Sequence, residues 1–265
     1  MSKHFILTSG RSGSNFLSSL LSNHPHVVNY GEVLGPWTTG YKVNKYLVGR
    51  GDASAYLDFI YRGKGYYLAS QGYARLKAMK AKKPFVWTPW SQIQSYGVKD
   101  FAMNLNSRGA GDYLLKHPEI KVINLYRDNA LRRLASVKLL DETGMVANTG
   151  ETMVKAEAKR SIYLPVNSFW DELTRTEAVV KEQLEMVAKL PPEQVLSIRY
   201  EDLFASAEAK QNYANQVLNF LGVSRVDLNS QHKKLNPDNL HELIENYDEI
   251  FALCQGKPAE RYFSY

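Results

Sequence analysis

Short apolar runs alternate with helix-like stretches along most of the chain. Near the amino end, Phe16, Leu17, Leu20 and Leu21 fall on one stripe of a predicted helix. Runs typical of buried strands lie at residues 5–7, 27–30, 95–100, 120–126 and 195–199. Further helical patterns lie at residues 53–62, 67–82, 104–116, 130–140, 167–190, 207–221 and 240–247. This alternation predicts a single α/β domain with a central parallel sheet flanked by helices.

The segment after the first strand, residues 8–15, combines small residues with one cation. Gly10 and Gly13 allow the backbone to turn tightly and to approach an anion closely. The backbone N–H groups and the positive end of the next helix would point at that anion, and Arg11 adds a fork of donors. Ser12 and Ser14 add hydroxyls, and Ser14 also suits the helix N-cap. The segment predicts a P-loop-like phosphate-binding loop; an ordinary turn with a surface arginine is the alternative.

This loop differs from the one that nucleoside-triphosphate enzymes use. Gly10 and Gly13 are three residues apart rather than five, and no Gly-Lys-Ser or Gly-Lys-Thr follows. The sequence therefore offers no evident place for a magnesium-bound triphosphate, and it contains no credible metal-binding cluster.

Composition narrows the class of protein. The 265 residues are 44% apolar, enough for one sizeable core, and the net charge of +6 favours an anionic ligand. The basic residues are scattered, so nucleic-acid binding is not expected. The single cysteine, Cys254, excludes an intrachain disulfide and fits a reducing cytoplasm. No apolar run approaches the roughly 18 residues that span a bilayer, and the chain enters its first strand without a signal peptide.

Residues 8–32, TSGRSGSNFLSSLLSNHPHVVNYGE, resemble the start of a sulfotransferase. The Arg-Ser-Gly-Ser form is similar to carbohydrate sulfotransferases, including bacterial enzymes that act on glycolipids. The resemblance implies the sulfotransferase fold and the donor 3′-phosphoadenosine 5′-phosphosulfate (PAPS), with adenosine 3′,5′-bisphosphate (PAP) as product and no metal. It also implies that residues 10–15, including Asn15, bind the 5′ end of this nucleotide.

Glu32 matches the catalytic base of the bacterial carbohydrate sulfotransferases. Independently, a parallel strand after the first one would end beside the phosphate loop, so Glu32 would lie at the edge of the sheet where ligands bind. The alternative is an ordinary acid in a surface loop. His24 and His26 are rival bases, but both precede the second strand and are expected to be structural.

Lys99 lies in a Gly-Val-Lys segment at the end of the third predicted strand. In the family, a similar segment lies near the active site. The resemblance implies that Lys99 stabilises a sulfuryl oxygen or orients the acceptor, and a solvated lysine is the alternative.

Arg127 follows the strand at residues 120–126, and Ser136 lies nine residues further on in the next helix. In sulfotransferases an arginine and a serine at these positions bind the 3′-phosphate, and Arg132 or Arg133 could share that role. A cation at the start of a helix opposes the helix dipole, so a bound anion explains Arg127 well. Asp128 is the expected N-cap of this helix.

The Tyr-Glu-Asp-Leu sequence at residues 200–203 recurs in sulfotransferases, where it is mainly structural. We expect Glu201 to hold loops together, through Arg199 or through the phosphate-loop backbone.

Three further segments carry weaker signals. Lys233 and Lys234 lie in a basic turn that resembles the family's C-terminal loop over the 3′-phosphate, and a solvated turn is the alternative. Residues 36–94 are rich in aromatic residues and are predicted to form an acceptor-binding insertion, although these rings could equally belong to the core. Residues 141–165 lack periodicity and are expected to form a mobile loop.

These features predict a cytoplasmic enzyme that transfers the sulfuryl group of PAPS to an acceptor hydroxyl. A carbohydrate or glycolipid acceptor is expected, with a small alcohol or a polyketide-type intermediate as alternatives, and the sequence does not indicate the oligomeric state. Two alternatives are a nucleotide-dependent kinase on the same scaffold and a non-catalytic binder of anionic glycans.

Overall fold

The central element of the fold is one sheet of five parallel strands, in the order β2-β3-β1-β4-β5. The computed structural model describes residues 1–47, 52–82, 87–144, 161–226 and 239–264. The strands are β1 (Ser2–Thr8), β2 (Val27–Asn29), β3 (Ser95–Phe101), β4 (Ile120–Tyr126) and β5 (Val195–Arg199). The predicted α/β domain with a central parallel sheet is confirmed.

Helices connect the strands and cover both faces of the sheet. The longer helices are α1 (Ser14–Ser22), α2 (Thr39–Leu47), α3 (Ala53–Tyr61), α4 (Lys64–Lys80), α7 (Ala130–Thr143), α8 (Val166–Val187), α10 (Ala207–Leu221) and α12 (Tyr247–Cys254). The shorter ones are α5 (Ala102–Ser107), α6 (Tyr113–Lys116), α9 (Tyr200–Leu203) and α11 (Leu240–Leu243), with 3-10 turns at Trp90–Gln92, Pro192–Gln194 and Pro258–Phe263. Among these described helices, none has the length and apolar character needed to cross a lipid bilayer.

β1 lies at the centre of the sheet and is buried on both faces, which explains its unbroken apolar run. Ile6 packs in a cluster with α1 and α10, where Leu20 is one of its partners. Phe5 and Leu7 point to the opposite face and pack in a second cluster that includes Leu105. Both faces of the central strand are thereby anchored, and its carboxyl end has a fixed position.

The carboxyl ends of the three central strands meet at one edge of the sheet. Thr8, the last residue of β1, pairs with Phe101 of β3 and with Leu125 of β4. The chain leaves β1 toward β2 on one side and leaves β4 toward β5 on the other. The crevice between β1 and β4 is therefore a topological switch point, where ligands bind in open α/β sheets.

The position of β2 differs from the expected one. β2 does not lie beside β1, because β3 is inserted between them. The hydrophobic pattern identifies a strand but carries no information about its neighbour. The loop after β2 consequently reaches the phosphate loop across the end of β3.

Several helices also differ from their predicted extents. Residues 104–116 form α5 and α6 rather than one helix, because Gly109 turns the chain with a left-handed φ of 70°. Residues 240–247 divide between α11 and α12, because Ile244 is extended and forms a bridge with Ile162. Helix α2 was not predicted.

Two predicted helix caps were wrong by one residue. Gly13, in the left-handed conformation, is the N-cap of α1, and Ser14 is the first helical residue. Asn129, not Asp128, caps α7, and its side chain accepts a hydrogen bond from the Arg132 backbone at 2.9 Å.

The described aromatic residues of 36–94 include a buried group and an exposed group, with Tyr66 and Trp90 partly buried between them. Tyr56, Tyr61 and Tyr67 are buried in the cluster that contains Phe5 and Leu7. The exposed rings are Trp37, Tyr46, Phe59, Tyr73 and Trp87. Core packing thus accounts for part of this aromatic content but not for all of it.

Candidate active site

The loop between β1 and α1 has an unusual backbone conformation. Gly10 and Gly13 both have φ of 80°, and Arg11 has φ of 55°. A left-handed conformation is costly for a residue with a side chain, and such strain concentrates at ligand-binding loops. At Gly13 a Cβ atom would also lie 2.5 Å from the ring of Phe204. The hydroxyls of Thr8 and Ser12 bond to each other at 2.5 Å, so Ser12 braces the loop from within.

The amino terminus of α1 faces the same edge of the sheet as this loop. The first N–H groups of an α-helix have no acceptor inside the helix, and the helix dipole makes this end positive. Ser14 and Asn15, both predicted to contact the nucleotide, lie in this first turn. The turn is therefore suited to an anion such as a phosphate.

The two predicted arginines lie side by side although they are far apart in sequence. Arg127 Nη1 donates to the backbone carbonyl oxygen of Arg11 at 3.3 Å. Arg11 Nε donates to Ser136 Oγ at 2.9 Å. Arg11, Arg127 and Ser136 therefore form one continuous polar surface at the switch point between β1 and β4.

Arg127 is buried and is held by residues that follow β5. Its guanidinium lies 4.3 Å from the centre of the Tyr200 ring, and its Nε is 4.0 Å from Glu201 Oε1. Burial lowers the pKa of Arg127, while the charges of Tyr200 and Glu201 oppose that shift. A buried guanidinium that is only partly compensated by acids favours a bound anion.

Glu201 supports this arrangement through the backbone. Its carboxylate accepts hydrogen bonds from the N–H groups of Asp128 at 3.2 Å and Asn129 at 3.0 Å. Arg199, one of its two predicted partners, forms a bidentate pair with Asp202, and the backbone groups bonded to Glu201 belong to the turn after β4. Glu201 therefore fixes the turn that carries Arg127, as expected of a structural acid.

Arg133 has a role that sequence reasoning left open. Its guanidinium is buried and donates to the carbonyl oxygens of Ser9 at 2.5 Å, Gly10 at 3.2 Å and Thr176 at 3.4 Å. Burial, with a smaller contribution from the charge of Arg127, lowers the pKa of Arg133 to about 10. Arg133 thus braces the phosphate loop against α7 and α8, whereas Arg132 is only half-buried and stays a candidate ligand of the 3′-phosphate.

A second polar cluster lies on the other side of the loop, at the end of β3. Lys99 Nζ donates to Glu32 Oε1 at 2.6 Å and to Asn15 Oδ1 at 2.8 Å. The second oxygen of Glu32 accepts from Trp37 Nε1 at 2.9 Å. Lys99 is buried, so a solvated lysine is excluded, and the cluster joins three residues that were predicted separately.

Asp100 holds the loop that carries Glu32, a role with no sequence signal beyond its place at the end of a strand. One carboxylate oxygen accepts from the N–H groups of Val33 at 2.9 Å and Leu34 at 2.6 Å. The other accepts from Phe101 N at 2.8 Å and Asn104 Nδ2 at 2.6 Å. Burial raises the pKa of Asp100, and these four hydrogen bonds oppose the shift.

The rival bases lie away from this edge. His24 and His26 precede β2, at the amino ends of the strands. His24 Nε2 contacts the carbonyl oxygen of Ser224 at 2.9 Å, and its Nδ1 accepts from the His26 backbone at 3.0 Å. Both histidines therefore belong to the end of α1 and not to the candidate site.

Two predicted features fall outside the described residues. Lys233 and Lys234 lie within 227–238, and most of the predicted mobile loop lies within 145–160. Their roles stay predictions.

Comparisons with known proteins find a matching family model and similar solved structures. The family model described as "Sulfotransferase family" matches residues 4–227, more than four fifths of the chain. No curated protein matches the chain. A solved sulfotransferase from Alicyclobacillus acidocaldarius is similar, with 19% identity and a TM-score of 0.46, over 99% of this chain and 94% of the other.

Two further solved structures are similar over 85% of this chain. The sulfotransferase domain of the Synechococcus PCC 7002 olefin synthase has 20% identity, a TM-score of 0.40 and 74% of its own length covered. The sulfotransferase domain of the curacin biosynthetic pathway has 15% identity, a TM-score of 0.40 and 76% covered. On the family match, which includes the phosphate loop, Glu32, Lys99, Arg127 and Ser136, this chain belongs to the sulfotransferase family.

Proposed function

We propose that this protein transfers the sulfuryl group of PAPS to an acceptor hydroxyl on a carbohydrate or glycolipid. The observation that carries the proposal is the contact between two anion-binding segments, the loop at residues 10–15 and the pair Arg127 and Ser136. One nucleotide with phosphate at both its 5′ and 3′ positions can engage both segments, whereas a ligand with a single phosphate group cannot use both fully.

The donor end of the nucleotide is assigned to the loop after β1. The loop N–H groups and the start of α1 would hold the 5′-phosphate, while Arg11 would neutralise charge that develops on the bridging oxygen. Bound PAPS supplies an activated sulfuryl group, whose departure leaves PAP. Arg127 and Ser136 would hold the 3′-phosphate and thereby fix the position of the donor.

The acceptor end is assigned to the cluster around Glu32. Glu32 would take the proton of the acceptor hydroxyl, and Lys99, 2.6 Å away, would stabilise a sulfuryl oxygen or orient the acceptor. Trp37 is exposed and bonded to Glu32, and its ring lies 6.3 Å from that of Phe101. Aromatic faces beside the base suit the apolar face of a sugar ring.

Calorimetry tests the nucleotide, with a chelator present for PAP and with magnesium and no chelator for ATP. We expect metal-free PAP to bind in the micromolar range, and ATP with magnesium to bind much more weakly. A preference for ATP with magnesium would favour the kinase. Binding of a sulfated glycan with no nucleotide binding would favour the non-catalytic glycan binder.

A substitution tests whether Arg127 binds the 3′-phosphate. Arg127→Ala should weaken PAP binding by about tenfold to a hundredfold, because a charge-assisted hydrogen bond is lost. Binding of 5′-AMP, which lacks the 3′-phosphate, should change little. Equal losses for both nucleotides would contradict the assignment. Screening sugar, lipid and small-molecule alcohols with PAPS would then identify the acceptor.

The single cysteine suits a reducing compartment, so we assign the enzyme to the cytoplasm. The proposal requires no metal, no nucleic acid and no particular oligomeric state.

A further inference from the structure

The net positive charge of this protein is concentrated in one segment around α4. The sequence contains no Asp or Glu between Asp58 and Asp100. Seven of the 33 basic residues and none of the 27 acidic ones lie at residues 59–83, so the remainder of the chain has a net charge of −1. The seven basic residues are Arg62, Lys64, Arg75, Lys77, Lys80, Lys82 and Lys83.

The same helix exposes large apolar side chains. Leu68, Tyr73, Leu76 and Met79 are all exposed, and Leu76 and Met79 retain 60% and 65% of their accessible surface. Helix α4 packs on the protein through its opposite face, where Tyr67 is fully buried. The outer face of α4 thus combines apolar surface with positive charge.

The positions of these residues around the helix are ordered. At about 100° per residue, Leu68, Leu76 and Met79 fall within an arc of roughly 80°. Arg75 borders this strip on one side and Lys80 on the other. Long basic side chains beside an apolar strip can keep their charges in water while the strip is buried in an apolar medium.

We propose that the outer face of α4, defined by Leu68, Leu76, Met79, Arg75 and Lys80, binds the surface of an anionic lipid bilayer. Apolar side chains would enter the boundary between headgroups and acyl chains, and the flanking cations would contact anionic headgroups. The rest of the chain, with its charge close to zero, would add little attraction of its own.

Charge and chemistry favour a bilayer over other partners. A nucleic acid would satisfy the cations but would leave Leu76 and Met79 exposed to water. A second copy of this chain would bring two strongly basic helices together, and like charges across an interface are unfavourable. An anionic bilayer satisfies the apolar strip and the cations together.

The packed side of α4 contacts the strand that leads to the candidate active site. The ring of Tyr66 on α4 lies 4.9 Å from that of Tyr30, which precedes Gly31 and Glu32 in the chain. The inference does not rest on sulfotransfer, because binding to vesicles requires neither donor nor acceptor.

Vesicle co-sedimentation tests the proposal. The protein should sediment with vesicles of mixed phosphatidylcholine and phosphatidylglycerol but not with phosphatidylcholine alone, and added salt should weaken binding by screening. The double variant Arg75→Glu, Lys80→Glu should reduce the partition coefficient at least about tenfold, since each charge near such a surface contributes appreciably. The double variant Leu76→Gln, Met79→Gln should also reduce it.

Matched controls come from exposed residues outside α4. Leu115 and Lys181 are also exposed, and Leu115→Gln and Lys181→Glu should bind vesicles like the unmodified protein. Circular dichroism checks that each variant is folded.

Four outcomes would overturn the proposal. The first is no binding to anionic vesicles, and the second is equal loss in the control variants. The third is an affinity for heparin or an oligonucleotide that equals the affinity for vesicles and does not change in the Leu76→Gln, Met79→Gln variant. Such a result would identify a general polyanion site. A monomer–dimer equilibrium that the α4 variants abolish, without vesicle binding, would likewise assign the face to a second copy.

Discussion

The carboxylate of Glu32 has a different donor on each oxygen, Lys99 on one and Trp37 on the other. These two contacts fix the orientation of the carboxylate. A glutamate in a solvated loop would lack such contacts. Glutamine has the same shape and cannot take up a proton. Glu32→Gln should therefore lower turnover by about 10²–10⁴-fold while the affinity for PAP is retained. Release of PAP in the presence of an acceptor and calorimetry measure the two quantities.

Glu185 offers a matched control for this substitution. It is an exposed glutamate on α8, and Glu185→Gln should leave both quantities unchanged. Near-normal turnover in Glu32→Gln would remove Glu32 from the mechanism.

Asp100 should act on catalysis through the loop that carries Glu32. All four hydrogen-bond partners of Asp100 are donors, so an amide at this position would face N–H groups with its own N–H₂ group. Asp100→Asn should lower turnover about tenfold or more and change PAP affinity little, because Arg11 and Arg127 are supported separately. The double variant Asp100→Asn, Asn104→Asp exchanges the two side chains and restores the hydrogen bond between positions 100 and 104, so it should recover part of the turnover. A loss of PAP affinity as large as the loss of turnover would contradict this role.

At the scale of single residues, the sequence predicted the position of residues that directly follow a strand. Glu32 and Arg127 lie just past β2 and β4, so their place at the ligand edge follows from any parallel sheet. The roles of Arg133 and Trp37 depend on helix rotation and on loop paths, which local patterns do not encode.

At the scale of elements, α7 and the loop after β1 behave as one unit because Arg133 joins them. Its guanidinium contacts three carbonyl oxygens, and a lysine ammonium cannot span all three. Arg133→Lys should weaken PAP binding about tenfold and should speed amide exchange at residues 9–14. Calorimetry and hydrogen exchange measure both effects, and Arg175→Lys on the exposed face of α8 is the control. Unchanged exchange in the loop would mean that it holds its conformation without Arg133.

Elements were predictable where burial imposes a pattern. β1 and β4 are buried on both faces, and their apolar runs identify them directly. Helix α10 has a serine cap and a glycine end, so both of its boundaries were readable. The break between α5 and α6 and the neighbours of β2 follow from tertiary packing, which a one-dimensional pattern does not specify.

At the scale of the whole molecule, the strand order gives the two ends of the sheet different chemistry. The carboxyl edge gathers arginines, Lys99 and Glu32, whereas the amino half of the sheet buries a histidine that takes no part in the site. His4 of β1 is fully buried, and its Nδ1 is 2.8 Å from Ser95 Oγ on β3. Burial lowers the pKa of His4 from 6.5 to about 3. The interior of the sheet thus accepts only the neutral imidazole.

This buried histidine makes the stability of the fold depend on pH. The unfolded chain takes up a proton on His4 below its usual pKa of 6.5, and the folded chain does so only near a pKa of about 3. The contribution of His4 to folding stability is therefore fully present above about pH 6.5 and is lost as the pH falls from there toward 3. By about pH 5 the contribution of His4 should amount to roughly 2 kcal/mol of lost unfolding free energy. In urea unfolding, the free energy of unfolding of the His4→Gln variant should depend less on pH, because glutamine does not titrate. This expectation holds whatever the absolute stability of the variant. Identical slopes for the variant and the unmodified protein between pH 6.5 and pH 5 would mean that His4 takes up its proton in the folded state.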